Sequence, residues 1–256
     1  MNIIPDERKV VLFDSDVYIN CLKSEDIADI KRRESIKGIY AHASPWVILE
    51  LMKYKDHKAL NVLKQHCLDT IQGIRLMADP ASQIYKGIYG RESVLCKSLL
   101  DDIITCLGLD ETSIKRLNIP AKLAKTSRIF EDNFPTRVKV KLLRNVEAVK
   151  IKCATDLLNL CIILNHFENA TERVDDALDF ILQHFNPALT YYADLLMRKA
   201  PQKALKKDDL SHDQRDWHLI FYAGLKNFFI VTEEKNLLKI GNNVISLKNY
   251  KDEVLS

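Results

Sequence analysis

"KVVLFDSDVYINCL", residues 9–22, decides how the chain folds. Val10 to Phe13 are bulky apolar residues with no polar residue among them, the composition of a strand buried on both faces of a parallel sheet. Two acids one residue apart, Asp14 and Asp16, follow at once, and apolar spacing resumes with Val17, Tyr18, Ile19 and Leu22. Open parallel sheets bind their ligands outside the carboxyl ends of the strands. A buried strand that runs straight into two carboxylates therefore delivers them to a functional rim.

Working outward, residues 16–33 have helical spacing and end in the basic cluster "KRR". "GIYAHAS" (38–44) reads as a second strand. "SPWVILELMKY" (44–54) opens a helix with Ser44 as N-cap and Pro45 at the first helical position, where a missing N–H costs nothing. The order β-α-β-α predicts a parallel α/β sheet.

The same pattern returns far along the chain. "LSHDQRDWHLIFYAG" (210–224) reads as a helix with Ser211 as N-cap, Gln214 completing a capping box, and Gly224 as its stop. "NFFIVT" (227–232) is a strand, "EEKNLLKI" a short helical turn, and "NVISL" (243–247) a last strand at the sheet edge. Residues 56–205 between them read as successive helices over 57–77, 91–108, 111–126, 136–166, 171–185 and 188–199, with no strand. Residues 1–256 are thus expected to form one domain, with a sheet core from about 8–54 and 208–248 and a large all-helical insertion.

Composition narrows the function. Hydrophobic residues make up 47% of the 256, enough for a real core, and a net charge of +3 neither demands nor opposes a polyanionic partner. The six cysteines (21, 67, 96, 106, 153 and 161) form no C-x-x-C pair and no zinc spacing. With no secretory leader, and no apolar run longer than stretches such as Leu157–Leu164, the expectation is a cytoplasmic protein without a membrane partner. His212 and His218 are off helical register for a shared metal, and the absence of a Gly-rich phosphate loop argues against nucleoside triphosphate binding.

The acids form the candidate site. Asp14 ends the first strand, Glu50 lies on the helix after the second, and Glu234 follows the strand "FFIV". Asp213 and Asp216 lie one turn apart at the start of the 210–224 helix, and either could be the third acid of the site. Crowded carboxylates raise one another's pKa, and a hard divalent cation such as Mg²⁺ or Mn²⁺ is the usual compensation. The expected metal ligands are Asp14, Asp16, Glu50, Asp213, Asp216 and Glu234. Arg137, Lys141 and Arg144 share one helix face, and Lys203, Lys206 and Lys207 lie in the cationic run "MRKAPQKALKKDD". Together they suit a wall for a phosphodiester backbone.

These residues resemble a family. "VVLFDSDVYI", "SPWVILEL" and "DWHLIFYAGLKNFFIVTEEKNL" resemble, in order, the four motifs of PIN-domain nucleases, over about 8–54 and 208–248. The resemblance implies a PIN-like parallel-sheet sandwich and metal-dependent endonuclease activity, on RNA more often than DNA. It aligns Asp14, Glu50, Asp216 and Glu234 with the catalytic acids, and Ser15 and Thr232 with the hydroxyl positions. The chain departs from the pattern at Asp16, where Asn is common, at Glu233–Glu234, where Asp is usual, and in the size of its insertion. Two other readings compete. "FDSD" also resembles the D-x-D motif of haloacid-dehalogenase-type phosphatases, although Val17–Tyr18 replace the usual Gly-Thr. A catalytically inactive PIN-like interaction protein is the third. A protein inhibitor or homo-oligomer is compatible with all three.

Overall fold

The computed structural model describes residues 9–22, 24–44, 47–48, 50–51, 57–69, 73–75, 77, 145–151, 153–155, 174–199, 219–224 and 227–256. Four parallel strands form its centre: β1 (Lys9–Phe13), β2 (Ile39–His42), β5 (Phe228–Val231) and β6 (Val244–Ile245), in the order β2-β1-β5-β6. The chain is α/β. β1, from the opening stretch, and β5, from the far end of the chain, lie side by side with Phe13 opposite Val231. Val10 to Phe13 are all buried, as are Phe228, Ile230 and Val231. Each such side chain removed from water contributes about 1.5–3 kcal/mol, so these two strands dominate the registration of the sheet. β6 lies at the edge, as its sequence position suggested.

Two backbone positions with positive φ start strands. Gly38 (φ 65°) ends α1 (Ser24–Ile36) and leads into β2, and a Cβ there would meet nothing within 4 Å, so the requirement is conformational. Asn227 (φ 64°) turns the chain into β5, a conformation that Asn tolerates better than most residues.

Several expectations need correction. The helix expected over 16–33 is broken: Val17–Cys21 form a π-type turn, Leu22 is extended (φ −118°, ψ 133°), and α1 begins afresh at Ser24. Burial of Leu22 at 7% exposure outweighs the continuity of helical spacing. The helix expected over 57–77 stops early, with α2 confined to His57–Cys67. It is followed by a short antiparallel pair, β3 (Leu68–Asp69) and β4 (Gly73–Ile74), so residues 56–205 are not strand-free. The Arg75–Asp69 ion pair closes this hairpin, and the Arg75 guanidinium stacks 5.0 Å from the Tyr40 ring centroid. Beyond it, Ala43 exchanges backbone hydrogen bonds with Arg75 and Met77, extending the sheet past β2. Leu219 and Ile220 are helical as expected, but Phe221–Gly224 tighten to a 3₁₀ turn. Further along, α3 (Val174–His184) and α4 (Asn186–Lys199) fall close to the two helices expected there. Phe185 between them stacks on Phe221 at 4.0 Å.

Candidate functional site

The ladder that aligns β1 with β5 continues one residue beyond β1. The Asp14 N–H donates to the Val231 carbonyl (2.9 Å), so Asp14 emerges at the carboxyl end of the sheet beside Thr232. Thr232, fully buried, donates its hydroxyl to Asp14 Oδ2 (2.8 Å) and accepts the Glu234 N–H on the same oxygen (3.1 Å). On the other side the Ser15 N–H donates to Asp14 Oδ1 (2.6 Å). The Ser15 hydroxyl lies 3.4 Å from that oxygen and 2.8 Å from Glu50 Oε2. Asp14 and Glu50 therefore meet across one serine.

Electrostatics follow from this crowding. Burial pushes the Asp14 carboxyl up to about 7, with the Asp16 and Glu50 charges adding and the Thr232 and Ser15 hydrogen bonds opposing. Asp16 is also raised, first by burial, against the backbone N–H groups of Glu233 and Val17, and further by the charges of Glu233 and Glu234. One Asp16 oxygen, Oδ1, is buried without a hydrogen-bond partner among the described residues. Asp16 makes no side-chain cap to the turn it opens. Orphaned buried carboxylate oxygens are uncommon in folded chains, because each costs a desolvation penalty that nothing offsets.

Asp14, Ser15, Asp16, Glu50, Thr232 and Glu234 thus gather at one rim of the sheet. Glu233 serves differently: its Oε1 accepts the Leu247 N–H (2.9 Å) and caps the helical turn after β6. Asp213, Asp216, Arg137, Lys141, Arg144, Lys203, Lys206 and Lys207 lie outside the described residues. The assembled donors are hard oxygens that carry like charges, which fits a small divalent cation in chemical type. Among the described residues no group of three or more His, Cys, Asp or Glu side chains is close enough to hold a metal by itself.

A second polar cluster went unforeseen. Tyr18, on the turn after Asp16, bonds His66 Nδ1 through its hydroxyl (2.9 Å). His66 Nε2 lies 3.0 Å and 3.1 Å from the two Glu34 oxygens, and the Tyr250 hydroxyl donates to Glu34 Oε1 (2.8 Å). With Glu34 as acceptor, Nε2 would carry the proton and, in the neutral ring, Nδ1 would accept from Tyr18. One signal for Glu34 was present: it follows Ile27 and Ile30 at helical spacing, on the face that α1 buries.

No protein-family model matches the chain, and neither a curated protein nor a solved structure matches it. Among the described residues no helix is long and apolar enough to cross a membrane.

Proposed function

We propose that the chain is a PIN-like, metal-dependent endonuclease that cleaves phosphodiester bonds in RNA, its sheet core interrupted by the long segment 56–205. The observation that carries this reading is the meeting of Asp14 and Glu50 through the Ser15 hydroxyl, together with an Asp16 oxygen that lacks a partner among the described residues. A structural cluster would satisfy that oxygen, whereas a ligand site has reason to leave it open.

In this reading Asp14, Asp16, Glu50 and Glu234 hold Mg²⁺ or Mn²⁺, with Asp216 or Asp213 completing the set. When bound, the cation supplies the positive charge that offsets the acids and activates a water for attack on phosphorus. Thr232 and Ser15 fix both oxygens of Asp14, so its carboxylate is oriented before any ligand arrives. Ser15 does the same for Glu50. Arg137, Lys141 and Arg144, with Lys203, Lys206 and Lys207, hold the backbone of the nucleic acid as a positively charged wall.

The test is Asp14→Asn assayed with labelled RNA and DNA oligonucleotides and an aryl phosphate, each with Mn²⁺. The wild type is expected to cut RNA, and the folded variant to lose that cleavage by orders of magnitude. Asn keeps the volume but not the charge that draws the cation. Undiminished cleavage by Asp14→Asn sinks the reading, and turnover of the aryl phosphate alone replaces it with a phosphatase.

A further inference from the structure

The residues on either side of the Asp14–Ser15–Asp16 triplet converge on one buried side chain. Phe13, immediately before it, packs its ring 4.5 Å from His66. Tyr18, just after it, hydrogen-bonds the same imidazole at 2.9 Å. His66 belongs to α2, is 1% exposed, and is oriented from behind by Glu34 of α1, itself 2% exposed and bonded to Tyr250. The turn that carries the acids has no side-chain cap of its own, and its C-cap residue Leu22 is extended. Tyr18, within this turn, is held from outside by its hydrogen bond to His66.

We infer that His66 is a positioning residue for the triplet: through Tyr18 and Phe13 it locks the turn that aims Asp14 and Asp16 at the rim. The inference rests on the proposed metal-site reading for its functional consequence, but not for the positioning itself. Its ring accepts from Tyr18 only while Glu34 keeps the proton on Nε2, so three elements outside the site set the direction of one hydrogen bond. Residues that orient a ligand from behind are worth about 10–100-fold in metal affinity in other sites.

The deciding variant is Tyr18→Phe, which removes one hydroxyl and retains the ring that packs on Phe13 (5.8 Å between centroids). Asn243→Ala is the control. Asn243 donates to the Ala223 and Phe228 carbonyls at the opposite end of β5, so its loss lowers stability without touching the triplet. Amide hydrogen exchange over residues 13–19 is expected to accelerate about tenfold in Tyr18→Phe, and to match the wild type in Asn243→Ala once corrected for global stability. Mn²⁺ affinity, read by titration of the metal alone, is expected to fall about tenfold in Tyr18→Phe and to hold in the control. Equal exchange over 13–19 in the two variants overturns the inference, as does local loosening with unchanged Mn²⁺ affinity. If the wild type takes up no Mn²⁺, the metal reading fails, and exchange alone then decides whether His66 positions the turn.

Discussion

The two polar clusters that flank residues 13–18 are built in opposite ways. In the interior, Tyr18, His66, Glu34 and Tyr250 form a closed chain in which each group meets a partner within 3.1 Å. At the rim, the acids Asp14, Asp16 and Glu50 crowd together, with one buried Asp16 oxygen lacking a partner among the described residues and two carboxyls raised. The first cluster ties α1, α2, the 17–21 turn and the C-terminal turn together. The second adds repulsion to a sheet edge that would be more stable without it. Both clusters are buried; what sets the rim apart is a buried carboxylate oxygen without a partner among the described residues.

This contrast is open to attack from both sides. Loss of cleavage in Asp14→Asn, described above, is the largest expected effect. Next is Glu34→Ala, which leaves the His66 Nε2–H and the Tyr250 hydroxyl without their acceptor and opens a cavity between α1 and α2. It should cost about 2–5 kcal/mol in urea denaturation. A loss within error would show that the interior cluster holds nothing together.

At the rim the sign reverses. A carboxyl raised from 3.8 to about 7 favours the folded state fully below the lower value, and that contribution is lost as pH rises through the upper one. Metal-free Asp14→Asn carries no such loss. Its stability relative to wild type should therefore improve from pH 4 to pH 8, by roughly 2–4 kcal/mol. A flat difference across that window would mean that Asp14 is not under electrostatic stress. The smallest effect expected is that of Thr232→Val. It removes the hydrogen bond that favours ionised Asp14, so the Asp14 titration followed by carboxyl ¹³C shift should move up by about one unit. Movement downward, or none, would show that the Thr232 hydroxyl does not support the carboxylate.

Much of this was written in short stretches. β1 is Lys9–Phe13 against an expectation of 9–14, and β5 is Phe228–Val231 against 227–232, because unbroken apolar runs of that length fit only a strand covered on both faces. Asp14, Ser15, Asp16, Thr232 and Glu234 reach the rim for the same reason, whereas Glu50 comes to it from a helix. The end of a buried strand is a place that sequence order alone can locate.

Other features were not legible. Continuous helical spacing hid the break at Leu22, since the extended conformation there follows from what Leu22 packs into and not from its neighbours. The β3–β4 hairpin is two residues on each strand, too short for any periodicity to register, and its Asp69–Arg75 pair forms only once the turn is made.

Local composition by itself determined the two central parallel strands and the acids at their ends. Only the tertiary structure decided which acids meet, because Ser15 reaches Glu50 across a separation of 35 residues and Thr232 reaches Asp14 across 218. It also decided that the Glu233 side chain accepts the Leu247 N–H while the Glu234 backbone N–H donates to Thr232, a division between adjacent identical residues that composition cannot express. The His66 network belongs wholly to this second level. Its four members come from four separate segments, and a hydrogen bond between distant side chains has no periodicity to leave in a sequence.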